Sequence, residues 1–234
     1  MLILLYLLVT IHLGCVLASL YMHRYAIHRQ YDMGPYAEAT MKWMYWFLFG
    51  AVSQEFIVQH RKHHELSDGF NDPHSPRFGY WKLLRNCVIP SFFRPYAITL
   101  SDADVQRYGA TVNDSFTVRY PRVGVILFLA LTVLLFGWIG FAMWAFHLFA
   151  VSFLTIATIT VFGHSYGYRN FNLNDLTTNV VPLGIVCAGE ELHNNHHKDS
   201  RNPNFAVKQN EFDLGFFYLS VLNKLNIIQL KKRA

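Results

Sequence analysis

The chain has 234 residues, 53% of them hydrophobic and 15% charged, with a formal charge of +5. That length holds one domain without a large appended module, and so few charged residues argue against an ordinary soluble domain. The basic excess carries no basic helix or aromatic-basic repeat, which excludes a nucleic-acid binder and leaves membrane anchoring as its purpose.

All 20 Lys and Arg residues fall in two blocks, 24–122 and 169–233, and none falls in 1–23 or 123–168. By the positive-inside rule the charged blocks are cytoplasmic and the apolar stretches lie in the bilayer. Residues 1–22 lack a basic leader and a small-residue cleavage site, so they are predicted to be a retained membrane span. Residues 41–58 are apolar but interrupted by Gln54 and Glu55 and flanked by charge, which predicts one interfacial or re-entrant helix. From Asn71 to Pro121 five prolines and weak periodicity predict a cap of short helices and loops.

The 123–162 stretch, about 40 residues without a formal charge, is twice the ~20 residues one span needs and predicts a two-span hairpin turning near Gly137 to Gly140. Residues 163–234 return to the cap, with an amphipathic surface helix predicted over Asn210 to Ala234. The expected fold is therefore all-α: an integral membrane bundle of three to four transmembrane helices with a cytoplasmic helical cap. Cys15, Cys87 and Cys187 form no CxxC pair and indicate neither a disulfide framework nor a thiolate site.

Eight of the 12 histidines lie in three short segments: His23 and His28; His60, His63 and His64; His193, His196 and His197. Positions i, i+3 and i+4 share a helix face, so the second and third segments each present three imidazoles together. The five-residue step from His23 to His28 does not fit an α-helical face, which predicts that the helix unwinds there. His164, at the end of the second apolar stretch, is a ninth candidate ligand. Nine imidazoles exceed the about four ligands of zinc or six of octahedral iron, so two ions are the economical number. His12 and His147 are read as packing residues, and His74 as a group beside the site rather than a ligand.

Imidazole suits iron, zinc, copper and nickel alike. Location narrows the choice: a site where spanning helices meet the cytoplasmic surface is placed to act on a substrate lying in the bilayer. Unactivated C–H bonds are what such a substrate offers, and breaking them calls for O2 and a redox metal.

The three segments, as HxxxxH, HxxHH and a second HxxHH, resemble the histidine boxes of the membrane fatty-acid desaturases, nearest the stearoyl-CoA desaturase branch. Asp72-Pro73-His74 and Gly167-Tyr168-Arg169 extend the resemblance, which runs from about Cys15 to Leu230. It implies that His23, His28, His60, His63, His64, His164, His193, His196 and His197 bind two iron ions, with O2 as co-substrate. It implies too that a long fatty-acyl chain is desaturated, with Ile11 and Cys15 near the floor of its tunnel. Thr160 stands where the family carries an Asn beside a metal-bound water. Glu190 and Asn194 are expected to support box histidines. The family's residues for a coenzyme A head group are replaced by Phe56-Ile57-Val58-Gln59, leaving acyl-CoA, acyl-carrier-protein thioester and acyl lipid open. A separate ferredoxin, rubredoxin or cytochrome b5 is expected as donor, and a bacterial inner membrane as location. The same boxes serve hydroxylases, acetylenases and ketolases. A zinc- or haem-binding membrane protein without turnover is the reading from another class.

Overall fold

A computed structural model describes residues 1–72, 75–76, 79, 81, 101–109 and 115–231. The leucine-rich segment Leu2–Leu17 forms helix α1, apolar on every face, with Leu2, Leu4 and Leu8 left exposed outward. It runs without a break into a π-helical segment, Ala18–Ile27. Together they make one helix of 26 residues, about 39 Å at ~1.5 Å per residue, long and apolar enough to cross a bilayer.

The stretch expected to be one interfacial helix is two helices. α2 covers Pro35–Leu48 and α3 covers Gln54–Leu66. Between them Gly50 adopts φ +110°, a conformation that side chains resist, and Ser53 starts α3 by accepting a hydrogen bond from the Phe56 N–H at 3.1 Å. Gln54 and Glu55, which interrupt the apolar run, thus sit in the first turn of α3, where the helix dipole favours an acidic side chain. Two short helices follow among the described residues, α4 (Asp102–Tyr108) and α5 (Phe116–Arg119). His74, Cys87 and most of the expected 71–121 cap lie outside the described residues.

Helix α6 (Pro121–Phe136) turns at Gly137, φ +64°, into α7 (Trp138–Ser152), which continues as a second π-helical segment, Phe153–Phe162. Trp138–Phe162 is the second helix long and apolar enough to span; α6 is apolar but shorter. At the turn, a Cβ on Gly140 would collide with the Thr132 carbonyl. Gly140→Val should therefore force the hairpin open and lower the yield of folded protein in detergent severalfold by fluorescence-detected chromatography. The core lies where these helices meet, with Leu17, Tyr21, Tyr45, Leu48, Phe128, Trp144 and Leu148 buried together.

Beyond the hairpin the chain folds over the ends of the two π-helical segments. Helix α8 covers His193–Lys198, and β2 (Leu183–Gly184) pairs in parallel with β3 (Phe212–Asp213). The expected helix over 210–234 is shorter: Asp213 caps α9 (Leu214–Lys224), accepting from the Phe216 N–H at 2.9 Å. The chain then turns at Asn226, φ +58°, and enters β4 (Ile228–Leu230), antiparallel to β1 (Tyr31–Met33). Two apolar side chains at strand spacing, Ile228 and Leu230, meet Met33 and Tyr31, an alternation that a helical reading of the tail absorbs. The fold is mostly helical, with these short strands as ties.

Candidate metal centre

The nine candidate histidines come from four parts of the chain. The first π-helical segment and its C-cap carry His23 and His28; α3 carries His60, His63 and His64; His164 follows the second π-helical segment; α8 carries His193, His196 and His197. The step from His23 to His28 is solved without unwinding. In a π-helix the bond runs from i to i+5, and the His28 N–H indeed donates to the His23 carbonyl at 3.1 Å, so residues five apart stack on one face. Their Nε2 atoms are 3.1 Å apart.

The rings divide into two groups. His23, His28, His60, His64 and His196 form one, His63, His164, His193 and His197 the other, with the candidate ligand atoms of each group all within 4.8 Å of one another. Within the first, Nε2 atoms are separated by 2.9 Å (His23 and His60) and 3.1 Å (His60 and His64; His64 and His196). In the second, His164 and His193 are 3.0 Å apart.

These distances fit a shared cation. The Nδ1 atoms of His23 and His164 face carboxylates, at 2.7 Å from Glu190 and 3.0 Å from Asp68, and a carboxylate fixes the proton on the nitrogen it faces. Each Nε2 is left a bare lone pair pointing at other Nε2 atoms. Six-coordinate geometry with bonds of about 2.1 Å sets adjacent ligand atoms about 3.0 Å apart. The Nε2 of His197 is likewise buried and has no hydrogen-bond partner among the described residues. Burial, followed by the positive charge a neighbouring ring would carry, holds the imidazoles of His28, His64, His193, His196 and His197 well below the usual histidine range, so all are neutral and ready to ligate.

Carboxylates orient the rings. Asp72 Oδ2 lies 2.8 Å from His63 Nδ1, and Asp175 Oδ2 lies 3.4 Å from His197 Nδ1. Asp68 also accepts from the Leu176 N–H at 2.7 Å. Burial opposes ionisation of Asp68, but His164 and that N–H outweigh it and keep its carboxyl below the ordinary range. Glu190 behaves alike: burial raises it, while His23, Arg24 and Ser19 bring it below the usual value. Sequence reasoning found Glu190 but not Asp68, Asp72 or Asp175 as partners of histidines.

Asn194, expected to support a ring, braces a loop instead. It accepts from the N–H groups of Asn170 and Phe171, each at 2.9 Å, and donates to the Thr177 hydroxyl at 3.1 Å, fixing the segment that carries Asp175. His12 and His147 stay outside both groups, the first at 3.0 Å from the Tyr218 hydroxyl and the second at 3.3 Å from the Leu48 carbonyl.

Below the rings is a cavity of about 50 Å³ lined by Ala18, Met22, Phe56, Thr155, Ile156, Ile159 and Thr160, reaching His23, His60, His63, His164 and His193. Its walls are mostly apolar and suit a short alkyl segment. Ile11 and Cys15 do not line it. Next to Cys15, a Cβ on Gly14 would lie 2.7 Å from Val151 Cγ2, so α1 and α7 close against each other below the cavity. Ile57 and Val52 pack with Met22 and Phe56, and on their far side lies a cavity of about 270 Å³ that also holds Arg29, Lys42 and Glu38.

The fatty acid desaturase family model matches residues 1–206. The chain is 25% identical to an acyl-CoA C20 Δ5-desaturase of Anemone leveillei over 89% of its length and 67% of the relative's. It is 27% identical to an sn-1 stearoyl-lipid 9-desaturase of Anabaena variabilis over 91% and 77% of the two chains. With a hex-5-enoyl-[acyl-carrier protein] acetylenase of Moorena producens (strain JHB) it shares 24% identity over 90% and 70%. Box spacing, paired imidazole groups and a family match over most of the sequence agree, and the chain belongs to the fatty acid desaturase family, membrane-associated oxidoreductases of fatty acyl chains.

Proposed function

We propose that the protein desaturates a long-chain fatty-acyl substrate at a centre of two iron ions. The observation that carries this reading is the division of nine imidazoles into groups of five and four above an apolar slot. His23, His28, His60, His64 and His196 would hold one iron, and His63, His164, His193 and His197 the other. The irons would supply the oxidising power: two hydrogens leave adjacent acyl carbons, and with O2, two electrons and two protons two waters form.

The protein's own part is positional. Met22, Phe56, Ile156 and Ile159 exclude water and hold the chain against the rings. Thr160 offers a hydroxyl in the same slot beside His164 and His193, suited to a solvent molecule on the four-histidine side. Arg29 and Lys42 in the neighbouring cavity suit the phosphate of an acyl carrier. The histidine segments would lie on the cytoplasmic side of a multi-pass protein, where a separate donor supplies the electrons.

Mass-spectrometric lipid profiling of cells expressing the protein, with bond positions located by derivatisation, tests this. New unsaturated acyl chains are expected. The acetylenase among the relatives supports a second reading, in which the product carries a triple bond. An unchanged acyl profile from protein that carries two irons and is supplied with a reducing partner would sink both. Ile159→Trp should fill the slot and cut product by roughly tenfold or more while both metals stay bound.

A further inference from the structure

The slot below the rings stops short. Ala18 and Thr155, near the starts of the two π-helical segments, line it. One turn further along each helix stand Gly14 and Val151, and there the helices touch: a Cβ on Gly14 would lie 2.7 Å from Val151 Cγ2 and 3.5 Å from His147 Cε1. Val151 is fully buried and β-branched, so the helix holds it in one rotamer and it does not swing aside as a gate. The flanks are closed as well. On one, Leu17, Ala18, Leu48 and Leu148 pack in a single buried cluster. On the other, residues 187 and 188 bridge the two helices: Cys187 Sγ donates to the Leu154 carbonyl at 3.1 Å, and the Ala188 carbonyl accepts from Ser19 Oγ at 3.0 Å. Helix contact, apolar cluster and bridge together make a floor.

Resting on the desaturation reading above, we infer that this floor receives the methyl end of the substrate and leaves room for only a few carbons beyond the new bond. The volume decides it. A slot of about 50 Å³, at ~10–15 Å³ for each water-sized group, holds roughly four such groups, and a methylene or methyl is of that size. The two carbons that lose hydrogen must themselves reach the histidine rings at the upper end, so about five carbons is the most that follows them. A longer tail would have to part α1 from α7 across a contact packed as densely as any protein interior. The slot therefore selects a bond near the methyl end of a long chain, whatever length of chain runs toward the head group. A bond at position 9 of a stearoyl chain, as in the name of one relative, leaves more carbons than that beyond it.

The test is product analysis in cells that express the protein and are fed saturated fatty acids of several chain lengths, with each bond located by derivatisation. Every product is expected to carry about five carbons or fewer between the bond and the methyl end. Val151→Ala lowers the floor and should add a product whose bond lies roughly one or two carbons further from the methyl end, the room left by the two methyl groups removed. Where that variant does not accumulate, Ala18→Val raises the floor and should move the bond the other way, with both metals still bound. A fatty acid bearing a diazirine at its methyl end, photolysed on the purified protein without turnover, should mark the peptides that carry Gly14, Ala18, Val151 or Thr155. About six or more carbons beyond the bond, a pattern that the floor variants leave unmoved, or label that falls elsewhere would overturn the inference. Acyl chains left saturated by protein that holds two irons and receives electrons would instead overturn the desaturation reading, while the label still reports whether the floor receives the methyl end.

Discussion

A His63→Ala variant is expected to retain no more than one metal per chain and to form no measurable product. His63 is buried on α3 at the junction of the two groups, its ring 4.9 Å from that of His164 and 5.1 Å from that of His197. Its loss leaves three imidazoles where four converged and leaves the Asp72 carboxylate facing a methyl group. Removing even an outer partner of a ligand costs about 10–100-fold in metal affinity, and a ligand costs more. A two-metal reaction then lacks one metal, so turnover should fall by roughly a thousandfold or more. Metal analysis of the purified variant beside lipid profiling checks this. A variant that keeps two metals and full activity would remove His63 from the site. The five-histidine group should survive, because α3 still presents His60 and His64 from the adjoining turns.

The largest loss of stability is expected from Arg24→Met. Arg24 is fully buried, and its guanidinium donates to the Pro203 carbonyl at 2.6 Å, the Ala188 carbonyl at 3.1 Å, the Ser19 hydroxyl at 3.2 Å and Asp213 Oδ1 at 3.0 Å. It also covers the Phe205 ring at 3.8 Å. One side chain thus joins the first long apolar helix to the loop before α8 and to the cap of α9. Methionine fills similar space but leaves Asp213 and Glu190 as buried carboxylates without their cation, and breaking such a pair costs about 3–5 kcal/mol. Thermal unfolding in detergent should show a drop of several degrees, with metal lost at the same temperature. Arg24→Lys should recover little, because an ammonium does not reproduce a fork that meets four acceptors. An unaltered melting point would mean that the carboxylates find other partners.

The histidine boxes were legible because α-helical spacing places i, i+3 and i+4 on one face, and α3 and α8 obey it. Two things were not. The five-residue step of the first box looked like a break, since no residue type marks a π-helix. The aspartates were hidden for another reason. Asp68 follows the C-terminus of α3 at φ +61°, and Asp175 arrives on a loop held by Asn194, so their distance from the rings is set by chain closure and not by spacing along an element. The turn at Gly137 was visible as a glycine in an apolar run, and the split at Gly50 could have been read from the Gly and the capping Ser53 together. The tail failed because three residues of strand are too few for alternation to stand out against helical periodicity.

The five-histidine group has a consequence for time as well as geometry. Four of its members lie between His23 and His64, while His196 comes more than 130 residues after His64, beyond both hairpin helices. At roughly 5–20 residues per second, a ribosome needs on the order of ten seconds or more to make that interval. The four early imidazoles are thus made well before α8 brings the fifth and before β4 can close on β1. A cation held by this group would therefore gain its full set of ligands only once nearly the whole chain has been made.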